Sequence, residues 1–185
     1  MIVVKKKTGI QIDIPDSGDI SKCDLNRTII SNINLSGRIA RCIRLDSCII
    51  NNVNISDTVM SESTIAHARL SNVIAKNTNF RNSKLCGAWI EDSDFTGADL
   101  TECSIDGVNI DNVIFRNATL VGADLYASII NGADFSGANM SWADLCDCRF
   151  SYTNLEGAVL HQAIYNKNTV LPDYIDRRVM RYEKS

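Results

Sequence analysis

Large apolar side chains recur at every fifth position from Ile20 to Tyr165. The row runs through Leu25, Ile30 and Leu35, continues over Phe95, Leu100 and Phe115, and reaches Leu145, Phe150 and Leu160; Ala40 and Ala75 weaken it. Two residues before each stands a smaller side chain, as at Cys23, Ala68, Ala98, Cys103, Ala123 and Ala143, and the residue between is often Asp or Asn. A helix cannot hold this pattern, because a period of five smears apolar groups around a cylinder of 3.6 residues per turn. A plain strand fails too, since alternate large residues would point to opposite faces. What fits is a short extended segment with two inward residues, then a corner that resets the parity. Gly or Asn is frequent two residues after the large one, as at Asn32, Gly37, Asn52, Gly97 and Gly137, and these residues tolerate the positive φ of a tight turn.

The tripeptides Ala98-Asp99-Leu100, Ala123-Asp124-Leu125, Ala133-Asp134-Phe135 and Ala143-Asp144-Leu145 resemble the A-(D/N)-(L/F) signature of pentapeptide-repeat proteins. The likeness covers residues 18–165 in constant register, and the first half departs from the signature in composition but not in spacing. It implies an all-β solenoid: a right-handed, quadrilateral parallel β-helix of pentapeptide repeats with twenty residues per coil. Residues twenty apart should then stack. One column is Leu35, Ile55, Ala75, Phe95, Phe115, Phe135 and Leu155, with a ladder of three phenylalanines; a corner column is Asn32, Asn52, Asn72, Asp92 and Asn112, which predicts stacked amides. About thirty pentapeptides make a rod of ~36 Å at a strand spacing of ~4.8 Å.

Open solenoid ends expose core and strand edges, so both need covers. Residues 1–17 alternate around Thr8-Gly9 and predict a hairpin-like N-terminal cap. At 166–185, Leu171, Ile175, Val179 and Tyr182 fall at helical spacing, Pro172 suits a first turn, and Arg177, Arg178 and Arg181 lie toward the C-terminal end. These predict a short C-terminal helix that caps the rod and joins two copies through Tyr174, Ile175, Val179 and Met180.

Seven cysteines, an odd number without Cys-x-x-Cys spacing, predict small apolar filler rather than disulfides. The only histidines, His67 and His161, take outward repeat positions with no nucleophile fixed beside them, and phosphate-binding glycine loops are missing. No catalytic, metal or cofactor site is expected. The apolar residues precede Lys5-Lys6-Lys7, the wrong order for a signal peptide, and no stretch approaches membrane-spanning length; a cytoplasmic protein is expected. Arg38 falls at an inward position beside Ala40, which predicts a local bulge that turns Ile39 inward, an outward-snaking side chain, or a functional arginine. Ile29, Ile49 and Trp89 share an outward column with Arg69 between them.

Charge divides the rod. Residues 22–84 hold nine Lys/Arg against four Asp/Glu, and residues 85–165 hold two against twelve. Arg41, Arg44, Arg81 and Lys84 make a small basic patch, too small in an acidic protein to predict direct nucleic-acid binding. Members of the resembled family of the Qnr and MfpA types bind DNA gyrase and modulate its response to drugs or toxins, with acidic surfaces read as imitating DNA. The uninterrupted coils resemble the MfpA arrangement. The resemblance therefore implies a non-enzymatic protein-binding rod whose partner is DNA gyrase or topoisomerase IV, with Asp94, Asp99, Asp124 and Asp144 as candidate contacts. The alternative is an interaction scaffold with a different protein partner.

Overall fold

The computed structural model describes residues 2–6 and 11–14 as backbone strands and residues 18–183 in full. Strands β1 (Ile2–Lys6) and β2 (Gln11–Ile14) precede seven stacked strands: β3 (Thr28–Asn34), β4 (Ile49–Asn54), β5 (Arg69–Ser71), β6 (Trp89–Glu91), β7 (Asn109–Asp111), β8 (Ile129–Asn131) and β9 (Arg149–Ser151). Each of the first six pairs in parallel with the next at a step of twenty residues, so Ile30 lies beside Ile50 and Ile130 beside Phe150. Isolated parallel bridges repeat the same step on the other sides, as Asp19–Ile39, Asp24–Arg44 and Asn54–Ile74. The result is an all-β parallel solenoid of four faces per coil. Face 1 is centred on Ile20 and its twenty-residue repeats, face 2 on Leu25, face 3 on Ile30 (the sheet of β3–β9) and face 4 on Leu35.

The corner explains why the period works. All 29 residues two positions after the large one, from Lys22 to Gln162, have positive φ between 48° and 69°, and 21 of them are not glycine. Lys22, His67, Trp142 and Tyr152 therefore adopt a conformation that disfavours side chains by about 1–2 kcal/mol each. The corner N–H repays this by pairing with the next coil, as Lys22 N–H does with Arg41 C=O at 2.8 Å. On most faces the turn also closes on itself, for example Cys23 N–H to Ile20 C=O at 3.3 Å.

Inside, the phenylalanine column forms as the spacing predicts. Phe95 and Phe115 lie 5.3 Å apart, Phe115 and Phe135 stack at 4.7 Å, and Phe80 from face 1 joins at 5.7 Å from Phe95. The small inward residue does more than fill space. Cys48, Cys103 and Cys148 donate their thiols to the carbonyls of Leu25, Phe80 and Leu125 one coil back, at 2.8–3.0 Å, and Thr78 and Ser128 do the same with hydroxyls. Burial pushes the Cys103 and Cys148 thiols up to about 12. Of the predicted corner amides, Asn52 donates to Asn32 at 2.7 Å, whereas Asn72 turns to Asn51.

The N-terminal hairpin extends the face 3 sheet: β1 pairs antiparallel with β2 and with β3. Thr8 and Gly9, expected at its turn, lie outside the described residues. The predicted C-terminal helix does not form. After Tyr165 the register slips by one, so that Val170 rather than residue 169 bridges Arg149. Residues 171–183 then cross the open end as a strap with a single 3-10 turn (Arg177–Val179) and a short parallel strand β11 (Arg181–Tyr182) against β10 (Ile164–Tyr165). Helical spacing loses because a helix would leave the last coil's edge unpaired. The strap pairs it: Gln162 N–H donates to Val179 C=O, Arg181 N–H to Ala163 C=O, and Glu183 N–H to Tyr165 C=O, at 2.7–2.8 Å.

Arg38 keeps the regular inward position after the Gly37 corner, without a bulge. Ala40 is buried, Ile39 stays outward at 45% exposure, and Arg38 itself is 9% exposed near the N-terminal end.

Candidate functional site

Asp94, Asp99, Asp124 and Asp144 all occupy the outward position just before a buried large residue, where the backbone bridges to the coils on either side. Their carboxylates have a structural task there. Each accepts a hydrogen bond from the N–H two residues on, Asp94 from Thr96, Asp99 from Thr101, Asp124 from Tyr126 and Asp144 from Cys146, at 2.8–3.0 Å. This Asx turn opens the corner and accounts for the frequency of Asp and Asn at that position.

The four acids do not form one patch. Asp94 is on face 4, Asp99 on face 1, and only Asp124 and Asp144 share a face, bridged one coil apart on face 2. The faces also differ in compensation. Asp94 pairs with Lys76 at 3.1 Å and Asp99 with Arg81 at 3.2 Å; Asp134 is likewise paired with Arg116. Burial alone would raise these carboxyls, but the Thr96, Thr101 and Ser136 hydrogen bonds and the neighbouring cations hold all three below the usual range. On face 2 the balance reverses. Burial, joined by the like charges of Asp106 and Asp144, pushes Asp124 up despite its hydrogen bond from Tyr126.

Face 2 also carries an acidic strip of Asp106, Asp124, Asp144 and Asp147, none in an ion pair among the described residues, although hydrogen bonds from Asn168 and Tyr126 and the nearby Lys167 hold Asp147 below the usual range. Two exposed aromatic rings flank it. Tyr126, 47% exposed, follows Asp106 in its column, and Asp147 raises its hydroxyl pKa by accepting its hydrogen bond. Trp142, 56% exposed, takes a positive-φ corner beside Asp144 and meets the His161 ring edge-on at 5.9 Å. Neither aromatic stood out in the sequence, although a tryptophan at a position that favours glycine was a usable signal. The basic patch is partly spent as well: Arg44 pairs with Asp24, and Arg81 with Asp99.

Of the candidate dimer contacts, Tyr174 uses its hydroxyl on its own rod, accepting from Leu155 N–H at 2.9 Å and donating to Thr153 C=O at 3.3 Å. Met180 is buried and Ile175 packs on the core; Val179 remains 45% exposed. Among the described residues no three His, Cys, Asp or Glu side chains converge as metal ligands, and no helix is long and apolar enough to cross a membrane.

No curated protein matches the sequence. Solved structures with similar coils include a trypsin-treated variant of QnrB1, a plasmid-mediated fluoroquinolone resistance protein, 13% identical over 90% of this chain and 78% of that one, with a TM-score of 0.49. HetL from Nostoc sp. strain PCC 7120, involved in heterocyst differentiation regulation, is 16% identical over 83% of this chain and 93% of that one, TM-score 0.32. A protein of the Arabidopsis thaliana thylakoid lumen is 23% identical over 64% of this chain and 66% of that one, TM-score 0.33. The family model for pentapeptide repeats matches eight copies across residues 65–101, 78–117, 93–132 and 130–162. With the period of five, the 29 matching corners and this match over more than half its length, the chain belongs to the pentapeptide-repeat family.

Proposed function

We propose that the chain is a non-catalytic, protein-binding rod whose face 2 engages a cation-lined groove on its partner. The carrying observation is the run of Asp106, Asp124, Asp144 and Asp147 along one face, none in an ion pair among the described residues, whereas Asp94, Asp99 and Asp134 on faces 4 and 1 each pair with a cation. One-signed charge along a rigid low-dielectric surface concentrates and orients cationic partners, and Tyr126 and Trp142 add apolar contact at its rim. A groove that ordinarily holds a polyanion meets this requirement. The family resemblance favours the DNA-binding groove of gyrase or topoisomerase IV, in the cytoplasm, with altered drug or toxin sensitivity as the consequence. A second reading, a scaffold for another basic protein, draws on the small size of the strip, four carboxylates on face 2.

The test is supercoiling and drug-stalled cleavage by both topoisomerases with the purified protein added. Asp→Asn changes suit it, because the amide oxygen keeps the Asx turn while the charge is removed. Neutralising Asp106, Asp124, Asp144 and Asp147 together should abolish the effect on the enzymes. Neutralising Asp94 and Asp99 should spare most of it, and added salt should weaken wild-type binding steeply. A folded wild-type protein that leaves both enzymes untouched rejects the topoisomerase reading, and an effect indifferent to the four face 2 changes rejects the site.

A further inference from the structure

Face 3 differs from the other three. Its bridges broaden into the continuous parallel sheet β3–β9, seven strands and roughly 29 Å long at ~4.8 Å per step. The outward column of that sheet runs Ile29, Ile49, Arg69, Trp89, Asn109, Ile129, Arg149 in unbroken register. Ile29, Ile49, Trp89 and Ile129 are 43%, 37%, 48% and 53% exposed. Arg69 lies over the Trp89 ring at 5.7 Å and bonds Glu91 at 2.9 Å, holding the indole upright in the row. Aligned apolar side chains on a flat sheet make a contact surface rather than scattered exposure.

We propose that a second copy of the chain covers this face, running antiparallel about a two-fold axis through β6. The inner part of the column carries the assignment, Ile29 lying over Arg149 at either end. About that axis β4 meets β8 of the second copy, so Ile49 faces Ile129; β5 meets β7, so Arg69 approaches the strand of Asp111; and Trp89 meets its own equivalent. Such a contact is self-complementary and closed. Charge on the face itself selects the same direction: antiparallel packing lays the strand of Arg69 over that of Asp111, whereas parallel packing lays each of these strands over its own copy. The end strap offers less, since Tyr174, Ile175 and Met180 are engaged in closing the rod. A strip this narrow falls at the small end of stable interfaces, so the dimer is reversible and concentration-dependent. It leaves face 2 open to a partner and does not rest on that partner's identity.

Sedimentation velocity of the full chain over a concentration series tests this. The expected result is a monomer–dimer equilibrium that weakens with salt. Ile49→Lys or Ile129→Glu alone should weaken it at least tenfold, and both changes in one chain should restore it, because each Ile49–Ile129 contact becomes a Lys–Glu pair. Val179→Glu should leave it unchanged. A protein monomeric at every concentration, single variants that associate like the wild type, a double variant that fails to recover, or a dimer abolished by Val179→Glu would each overturn the proposal.

Discussion

The two halves of the rod share one backbone and differ in almost everything else. From Lys22 to Asn82 the thirteen corners include a single glycine, Gly37, yet every one has the same positive φ as the glycine-rich corners beyond. The core of the first half is aliphatic up to Phe80, with about 30 Å³ of residual space among residues such as Leu25, Ile50, Ile55 and Met60, while the second half is filled by the Phe95–Phe135 ladder. The surface is cation-rich on one side and acidic on the other. Since the family signature is strong only in the second half and the geometry is constant throughout, the coil is set by inward-pair spacing and by backbone bonds between coils. Signature residues refine the coil; they do not define it.

The largest test of that difference is in the core. Phe115, 3% exposed and stacked between two rings, should lose about 3–5 kcal/mol on change to Ala. Ile55→Ala, next to Ala75 and the residual space, should cost less, about 2–3 kcal/mol. Denaturant melts in which the isoleucine proves the costlier loss would mean that the second half is not the better packed one.

Corners offer a sharper pair. At Gly107 an added Cβ meets nothing within 4 Å, so Gly107→Ala should cost only the left-handed backbone term, about 1 kcal/mol. Ala127 already occupies such a corner at φ 55°. At Gly97 the added Cβ would stand 2.5 Å from Asn77 Oδ1, which folds over from the coil before. Gly97→Ala must displace that amide and should cost about twice as much. Equal melting temperatures for the two variants would show the amide stack to be idle.

Much of this was legible from spacing alone. The period of twenty named the phenylalanine ladder, and it also separated Asp94, Asp99 and Asp124 onto different faces, since their positions within the coil differ by five. What spacing could not show was which acids are neutralised, because Lys76 and Arg81 reach Asp94 and Asp99 across coils, eighteen residues on. The C-terminal segment misled for a different reason. Leu171, Ile175 and Val179 carry a helical period, but the demand for a strand partner arises from Ala163 and Tyr165, whose free carbonyls exist only once the last coil is built.

The acids on the two sides of that division should respond oppositely to pH. Asp94 has a depressed pKa, so its contribution is present above the unfolded carboxyl value and lost as pH falls through the folded one. Asp94→Asn should therefore lower stability near neutrality, by up to about 1 kcal/mol, and matter little in acid. Asp124 is raised, so the folded state favours its protonated form and is penalised as pH rises through the folded pKa. Asp124→Asn should raise stability near neutrality, again with the difference vanishing in acid. Thermal melts from pH 3 to 8 in which both variants shift the same way would contradict the split between compensated and free acid.

The smallest expected effect lies where the halves meet. Arg69–Glu91, Lys76–Asp94 and Arg81–Asp99 join a cation of the first half to an acid of the second on three different faces, forming a belt around the boundary coil. On face 2 the corresponding cation, Lys84, has Ser104 rather than an acid one coil on and makes no ion pair among the described residues, so the belt is open on the side of Asp106, Asp124 and Asp144. These pairs are half exposed on the cationic side, and each contributes little in water. Arg81→Gln should cost only about 0.2–0.5 kcal/mol, and the loss should disappear in high salt, where the wild-type pair is screened. Asp99 would lose the cation that helps hold its pKa down while keeping its Thr101 hydrogen bonds at 2.5 and 3.0 Å. Its NMR titration midpoint should therefore rise in Arg81→Gln without reaching the free carboxyl value. A midpoint unchanged from wild type would mean that the belt does not neutralise Asp99, and face 1 would then have to be counted with face 2 as open acidic surface.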